Sequence, residues 1–90
     1  MEPFRLFFAP QFINELSYWR QVDPKIAARI DKLTEEVARD PFRGIGKPEH
    51  LKYLVPNLWS RRITDEHRLV YLVDQRRISF LQCRYHYSQW

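Results

Sequence analysis

Ninety residues, 44% hydrophobic and 29% charged, make one small globular domain, too short for a second core and too apolar for wholesale disorder. Fifteen lysines and arginines against eleven acidic residues leave a net charge of +4, which favours a polyanionic partner without naming one. The single cysteine, Cys83, excludes an internal disulfide, one cysteine with three scattered histidines does not make a four-ligand zinc site, and no segment approaches the ~20 apolar residues that span a bilayer.

Residues 4–9 are short, aromatic and closed by Pro10, which reads as a first strand. Their apolar run is broken by Arg5 and is too short for a secretion signal, so a soluble cytoplasmic protein without membrane association is expected. Over residues 10–20, Phe12, Leu16 and Trp19 recur at helical spacing with Ile13 alongside, and Pro10 suits the first turn. Asp23-Pro24 opens a second helix, in which Ile26, Ile30, Leu33 and Val37 form a continuous stripe; Asp40-Pro41 ends it. Two helices joined by so few residues form an antiparallel hairpin.

Residues 41–57 change character. They hold both glycines, Gly44 and Gly46, and Pro41, Pro48 and Pro56, and they read as an irregular segment of the kind that often carries function. After Pro56 the period becomes two. Strands are expected over residues 58–64, 67–73 and 77–87, with turns at Asp65-Glu66 and at residues 74–76, which makes an antiparallel meander. The layout is β-α-α-β-β-β, a two-layer α+β domain spanning residues 1–90: a mainly antiparallel sheet with the helical hairpin on one face and the other face partly exposed.

The charge is one-sided. Residues 1–42 carry six basic and seven acidic residues, whereas residues 43–90 carry nine basic and four acidic ones. Three segments of this second half gather chemistry. In Gly44-Ile45-Gly46-Lys47-Pro48-Glu49-His50-Leu51-Lys52 the glycines permit a tight backbone path near a ligand, the lysines are point charges, and Glu49 is a candidate general base. A solvated basic loop explains the same residues more simply. The second segment, residues 59–71, places Arg61 and Arg62 on opposite faces of one strand and Arg68 at the start of the next. Cross-strand pairing of Arg62 or Arg68 with Asp65 or Glu66 is the plainer account of those charges. In the third, Gln82-Cys83-Arg84-Tyr85-His86-Tyr87, alternation puts Arg84 and His86 on one face, and a histidine there is a candidate general acid. Cys83 reads as a small core residue, and His50 and His67 as weak candidates.

A carboxylate, a histidine and several cations suit RNA cleavage without a metal or other cofactor. A base takes the ribose 2′-OH proton, cations hold the charge of the phosphorane, and an acid protonates the 5′ leaving oxygen. A non-catalytic RNA- or DNA-binding module would use the same basic face without needing Glu49 or His86.

The stretches Asp40-Pro41-Phe42, Gly46-Lys47-Pro48-Glu49, Leu51-Lys52, Trp59-Ser60-Arg61-Arg62-Ile63-Thr64, Glu66-His67-Arg68-Leu69-Val70-Tyr71 and Cys83-Arg84-Tyr85-His86-Tyr87, with Tyr18-Trp19 in the hairpin, resemble the YoeB-type toxins of the RelE superfamily. The resemblance implies a RelE-like, microbial-ribonuclease-like fold and the toxin of a type II toxin–antitoxin pair that cuts mRNA in the ribosomal A site and stops translation. It implies Glu49 as base, His86 as acid, Arg68 as the transition-state clamp and Tyr87 as a positioning group. Lys47, Lys52, Arg61, Arg62 and Arg84 are then expected to bind RNA phosphate or the ribosome. The implied partners are a YefM-like antitoxin with an acidic C-terminal segment, the ribosome with its mRNA, and a second copy of the chain. Family chains typically end at the tyrosine matched by Tyr87, whereas this one continues with Ser88-Gln89-Trp90, which opens the alternative of a degenerate, inactive toxin.

Overall fold

A computed structural model describes residues 3–86, in the order β1 (Arg5–Phe8), α1 (Pro10–Val22), α2 (Pro24–Arg39), β2 (Glu49–His50), β3 (Leu58–Arg62), β4 (Arg68–Asp74) and β5 (Arg77–Gln82). The helix boundaries lie where local chemistry demands them. Each helix has proline in its first turn, where a missing N–H removes no bond. Asp23 serves both helices: its backbone N–H donates to the Trp19 carbonyl at the end of α1, and its carboxylate accepts from the Ile26 N–H at 3.4 Å at the start of α2. Asp40 is extended ahead of Pro41, and α2 stops there.

The sheet runs β1-β5-β4-β3-β2. β1 lies parallel to β5, with Phe8 opposite Phe80, and the remaining pairings are antiparallel. The expected two-layer α+β architecture is the one observed. The hairpin covers one face, where Phe12 and Trp19 of α1 and Ala27, Ile30, Leu33 and Val37 of α2 pack on Leu69, Tyr71, Ile78 and Phe80. Each such large side chain contributes about 1.5–3 kcal/mol on leaving water. Ile13 departs from this pattern. It stays 54% exposed, on the flank of α1 beside a shallow groove that Phe8 and Leu16 also line.

Two further expectations need correction. Residues 41–57 are not wholly irregular, because Glu49 and His50 pair with Ser60 and Trp59 and extend the sheet by one short strand. Beyond it, Leu51 and Leu58 bury against Val70, with Val55, Leu72 and Leu81 around them, so the chain at residues 51–57 lies over part of the second face as a small satellite cluster of the one domain. The part of that face near the β3–β4 turn remains open, as does the β1 edge, where Phe7 is 46% exposed. The last strand is also shorter than the alternation suggests: β5 ends at Gln82 rather than continuing to residue 87. Its register shifts by one residue between the Tyr71–Phe80 and Val70–Gln82 pairs, and Tyr85 turns the chain at φ +63°. Tyr87 and the extension at residues 88–90 lie outside the described residues. Among the described residues no helix is long and apolar enough to cross a membrane.

Candidate active site

Register decides which side chains share the open face. Residues directly opposite in a ladder point to the same side. Glu49 pairs with Ser60, Ser60 with Val70, and Val70 with Gln82, so these residues form one row from β2 to β5. One step along the strands towards the turn, Arg62 stands opposite Arg68 on the same face. The proposed carboxylate is therefore one row away from a pair of arginines.

That pair is electrostatically unsettled. Like charges directly opposite each other in a sheet repel. Asp65 reaches Arg62 only at 3.9 Å (Nη1 to Oδ1) and is itself fully exposed, an ion pair of little worth. Arg68 is instead held by the β3–β4 turn: its Nη1 donates to the carbonyls of Thr64 at 2.6 Å, and of Asp65 and His67 at 3.1 Å. The turn is closed by the Thr64 hydroxyl, which accepts from the N–H groups of Glu66 and His67. Neutral carbonyls orient the guanidinium without cancelling its charge, so the pair still attracts an anion such as a phosphate.

His86 comes to the same turn by another route. After β5, Cys83 is fixed to α1: its N–H donates to the Glu15 carboxylate at 2.8 Å, and its carbonyl accepts from the Trp19 indole N–H at 2.9 Å. The Tyr85 peptide is then gripped at both ends. Its N–H donates to His67 Nδ1 at 2.7 Å, and its carbonyl accepts from the Arg68 N–H at 3.0 Å. Gln82 Nε2 donates to the carbonyls of Arg84 and His86, both at 3.2 Å. The His86 ring thereby reaches the Asp65 carbonyl, with Nε2 3.4 Å from the oxygen to which Arg68 donates. His86 and Arg68 thus share one carbonyl oxygen.

The structure separates the other expected site residues. Lys47 and Lys52 are exposed on either side of β2, and Arg62 is partly exposed on the open face. Arg61 is a correction: it faces the opposite side from Arg62 and is completely buried. Its Nε donates to the Tyr71 hydroxyl at 3.1 Å, Nη1 to the Ile45 carbonyl at 3.1 Å, and Nη2 to the carbonyls of Asp40 at 2.6 Å and Arg43 at 2.9 Å. No phosphate reaches it, and its task is to hold the loop after α2. The glycines belong to the same task. A Cβ on Gly44, whose φ is +127°, would stand 2.9 Å from Arg61 Nη1, so the tight path makes room for a buried arginine rather than a ligand. Arg84 leaves the expected face but stays partly exposed. The chain leaves the strand before it, and its guanidinium lies 3.8 Å over the Tyr18 ring and 4.8 Å over Tyr85, against α1 instead of on the open face. His50 turns away from Glu49, stacked flat on Trp59 at 4.6 Å with Nε2 2.6 Å from the Pro56 carbonyl. Tyr87 lies outside the described residues.

His67 has a larger part than its place beside a turn suggests. It is buried, edge-on to Trp19 at 4.8 Å, and burial pushes its pKa below the ordinary histidine value. The clue lay in strand parity, since His67 shares its face with Leu69 and Tyr71, which belong to the core. Cys83 is buried as expected, and burial, chiefly, with Glu15 nearby, pushes its thiol far up.

The two-layer fold is that of RelE-like toxins. The toxin of the Escherichia coli DinJ–YafQ toxin–antitoxin complex has the same fold, with a TM-score of 0.79 over 97% of both chains at 10% identity, a likeness of fold alone. Sequence narrows the class: residues 8–87 match the family model described as the YoeB-like toxin of bacterial type II toxin–antitoxin systems, and the chain belongs to that family. It is 42% identical over 83 residues to Toxin YoeB of Escherichia coli K12, covering 92% of this chain and 99% of that one. The YoeB/ParE toxin from Agrobacterium tumefaciens matches with a TM-score of 0.86 at 39% identity, covering 92% of this chain and 99% of that one. The Staphylococcus aureus YoeB dimer matches with a TM-score of 0.84 at 40% identity, covering 96% of this chain and 100% of that one. The same toxin in its heterotetrameric complex with YefM gives a TM-score of 0.80 at 40% identity over the same shares.

Proposed function

We propose that this toxin is a ribosome-dependent endoribonuclease that needs no metal and cuts mRNA in the A site, with Glu49 as base, Arg68 and Arg62 as the phosphate clamp and His86 as acid. The observation that carries the reading is the register, which sets Glu49 and the Arg62–Arg68 pair in adjacent rows of one face while the turn at Asp65 joins Arg68 to His86. Glu49 removes the proton of a ribose 2′-OH. The oxygen attacks the adjacent phosphorus, the arginines hold the charge of the five-coordinate phosphorane, and the P–O5′ bond breaks as His86 gives its proton to the leaving oxygen. The products are a 2′,3′-cyclic phosphate and a 5′-hydroxyl. Tyr87, next in sequence to the acid, is proposed to position it or the phosphate.

Lys47 and Lys52, exposed around β2, would follow the RNA or ribosome backbone in a salt-dependent way. By analogy with the S. aureus toxin, a YefM-like antitoxin with an acidic segment would cover the basic face, and copies of the chain would pair. A cytoplasmic location follows from such targets. The test is cleavage in a translating extract. Glu49→Gln and His86→Gln should each cut at least a hundredfold more slowly with the fold retained, as loss of a general acid or base requires. Wild-type rates in both variants would leave a non-catalytic binder as the better description.

A further inference from the structure

The segment carrying His86 follows no regular strand, yet it is ordered around one buried side chain. Tyr85 sits at φ +63°, a conformation that costs an ordinary residue energy unless its surroundings enforce it. The Tyr85 N–H meets His67 Nδ1 at 2.7 Å, and the next residue, Arg68, the first of β4, takes the Tyr85 carbonyl with its own backbone N–H at 3.0 Å. Two consecutive residues at the start of β4 thus hold the residue immediately before His86 from both sides, and the second of them also supplies the guanidinium proposed to clamp phosphate. An Nδ1 that accepts a hydrogen bond carries no proton, so the neutral ring bears its hydrogen on Nε2. The ring cannot swing freely, because it lies edge-on to Trp19, whose indole is itself tied to the Cys83 carbonyl.

We propose that His67 is a positioning residue for the acid His86: as the Nε2–H tautomer, it accepts the Tyr85 N–H through Nδ1 and fixes the turn that aims His86 at the Asp65 carbonyl beside Arg68. The assignment rests on the ribonuclease reading for its catalytic consequence, while the His67–Tyr85 coupling stands by itself. His67 touches no substrate and acts through the backbone.

Two substitutions divide the contributions of His67. His67→Phe keeps a ring against Trp19 and removes the acceptor. His67→Asn gives up the ring but places a side-chain oxygen where Nδ1 stands. In the full-length protein, His67→Phe should lower kcat for mRNA cleavage at least tenfold with KM within twofold of wild type, and His67→Asn should recover most of that loss. The Tyr85 and His86 backbone amide signals should shift in His67→Phe and return towards wild type in His67→Asn. Unchanged kcat in a folded His67→Phe protein would overturn the catalytic part. Equal losses in both variants that track their melting temperatures would also overturn it. Nitrogen-15 spectra of the wild-type imidazole need no variant: an unprotonated Nδ1 supports the coupling, and a protonated Nδ1 refutes it. If the wild-type toxin cuts no RNA, the ribonuclease reading fails, while the amide shifts and the tautomer still decide the coupling.

Discussion

Arg61 and Arg62 are neighbours of identical chemistry that the sheet sends to opposite fates, and substituting each with lysine separates scaffold from site. Arg61 is fully buried and donates to Tyr71 Oη and to the carbonyls of Asp40, Arg43 and Ile45. Lysine keeps the charge but has a single nitrogen and no fork, so most of these acceptors lose their donor. Hydrogen bonds to a charged group contribute about 1.5–3 kcal/mol each. The loop carbonyls recover part of this by turning to water, whereas the Tyr71 hydroxyl keeps its bond to the Pro41 carbonyl at 2.7 Å. A net loss of about 3 kcal/mol is expected for Arg61→Lys, within the 3–5 kcal/mol range found when a buried charge loses its partners. A domain of this size has a total stability of about 5–13 kcal/mol. With a urea dependence of about 1–1.5 kcal/mol per molar, the midpoint should fall by about 2–3 M at unchanged slope. Arg62→Lys, at a partly exposed site, should stay within about 0.5 kcal/mol of wild type. Its cleavage rate should fall, because lysine does not present a planar two-pronged donor to phosphate. Urea unfolding of the pair with a matched cleavage assay gives the answer. A wild-type midpoint for Arg61→Lys, or equal destabilisation of both variants, would refute the assignment of the two faces.

Other consequences follow from the same contacts. Gly44→Ala should destabilise by more than about 1 kcal/mol in urea unfolding, since a Cβ there meets Arg61 at φ +127°, and cleavage should fall only through lost folded protein. The lowered His67 pKa makes stability depend on pH with a definite sign. The unfolded chain takes up a proton on this ring near pH 6.5 and the folded chain only at lower pH, so the contribution is present above 6.5 and is lost as pH falls towards the folded value. Burial is the main cause; Arg84, His86 and Arg68 act in the same direction, Glu66 opposes them, and α1 faces the ring with the uncharged Trp19. His67→Phe should therefore show a shallower stability loss than wild type between pH 7.5 and 5. Cys83 should resist iodoacetamide in the native protein and react after unfolding, as mass spectrometry would show, because its thiol is buried and held protonated.

Much of the architecture was legible in the chain. Asp23-Pro24 and Asp40-Pro41 marked the helix ends because capping and proline sterics act within a few residues. The stripe of Ile30, Leu33 and Val37 marked the buried face because a helix repeats its geometry. The meander followed from turns too short for any other connection. What escaped depended on contacts distant in sequence. β2 exists only because β3 offers an edge to pair with, and two residues leave no periodic pattern. The alternation through Tyr87 suggested a longer strand, yet the register shift and the grip of His67 on Tyr85 bend the chain after Gln82. Parity did foretell that Arg61 and Arg62 part company. It left open that the Arg61 side meets loop carbonyls rather than RNA, since the Arg61-to-Asp40 contact spans twenty-one positions. The residue types proposed for the site, Glu49, Arg68 and His86, stood out in the sequence, whereas the meeting of Arg68 and His86 at the Asp65 carbonyl required the folded turn.

The central claim is that the open face drives attack by a ribose 2′-OH, and the ends of the cut RNA test it directly. mRNA cut by the purified toxin in a translating extract should carry a 2′,3′-cyclic phosphate, or the phosphate formed when that ring opens, on the upstream fragment and a 5′-hydroxyl on the downstream one. A message whose 2′-OH at the scissile nucleotide is replaced by hydrogen should remain intact. A 3′-hydroxyl with a 5′-phosphate, or cleavage of the 2′-deoxy message, would contradict it.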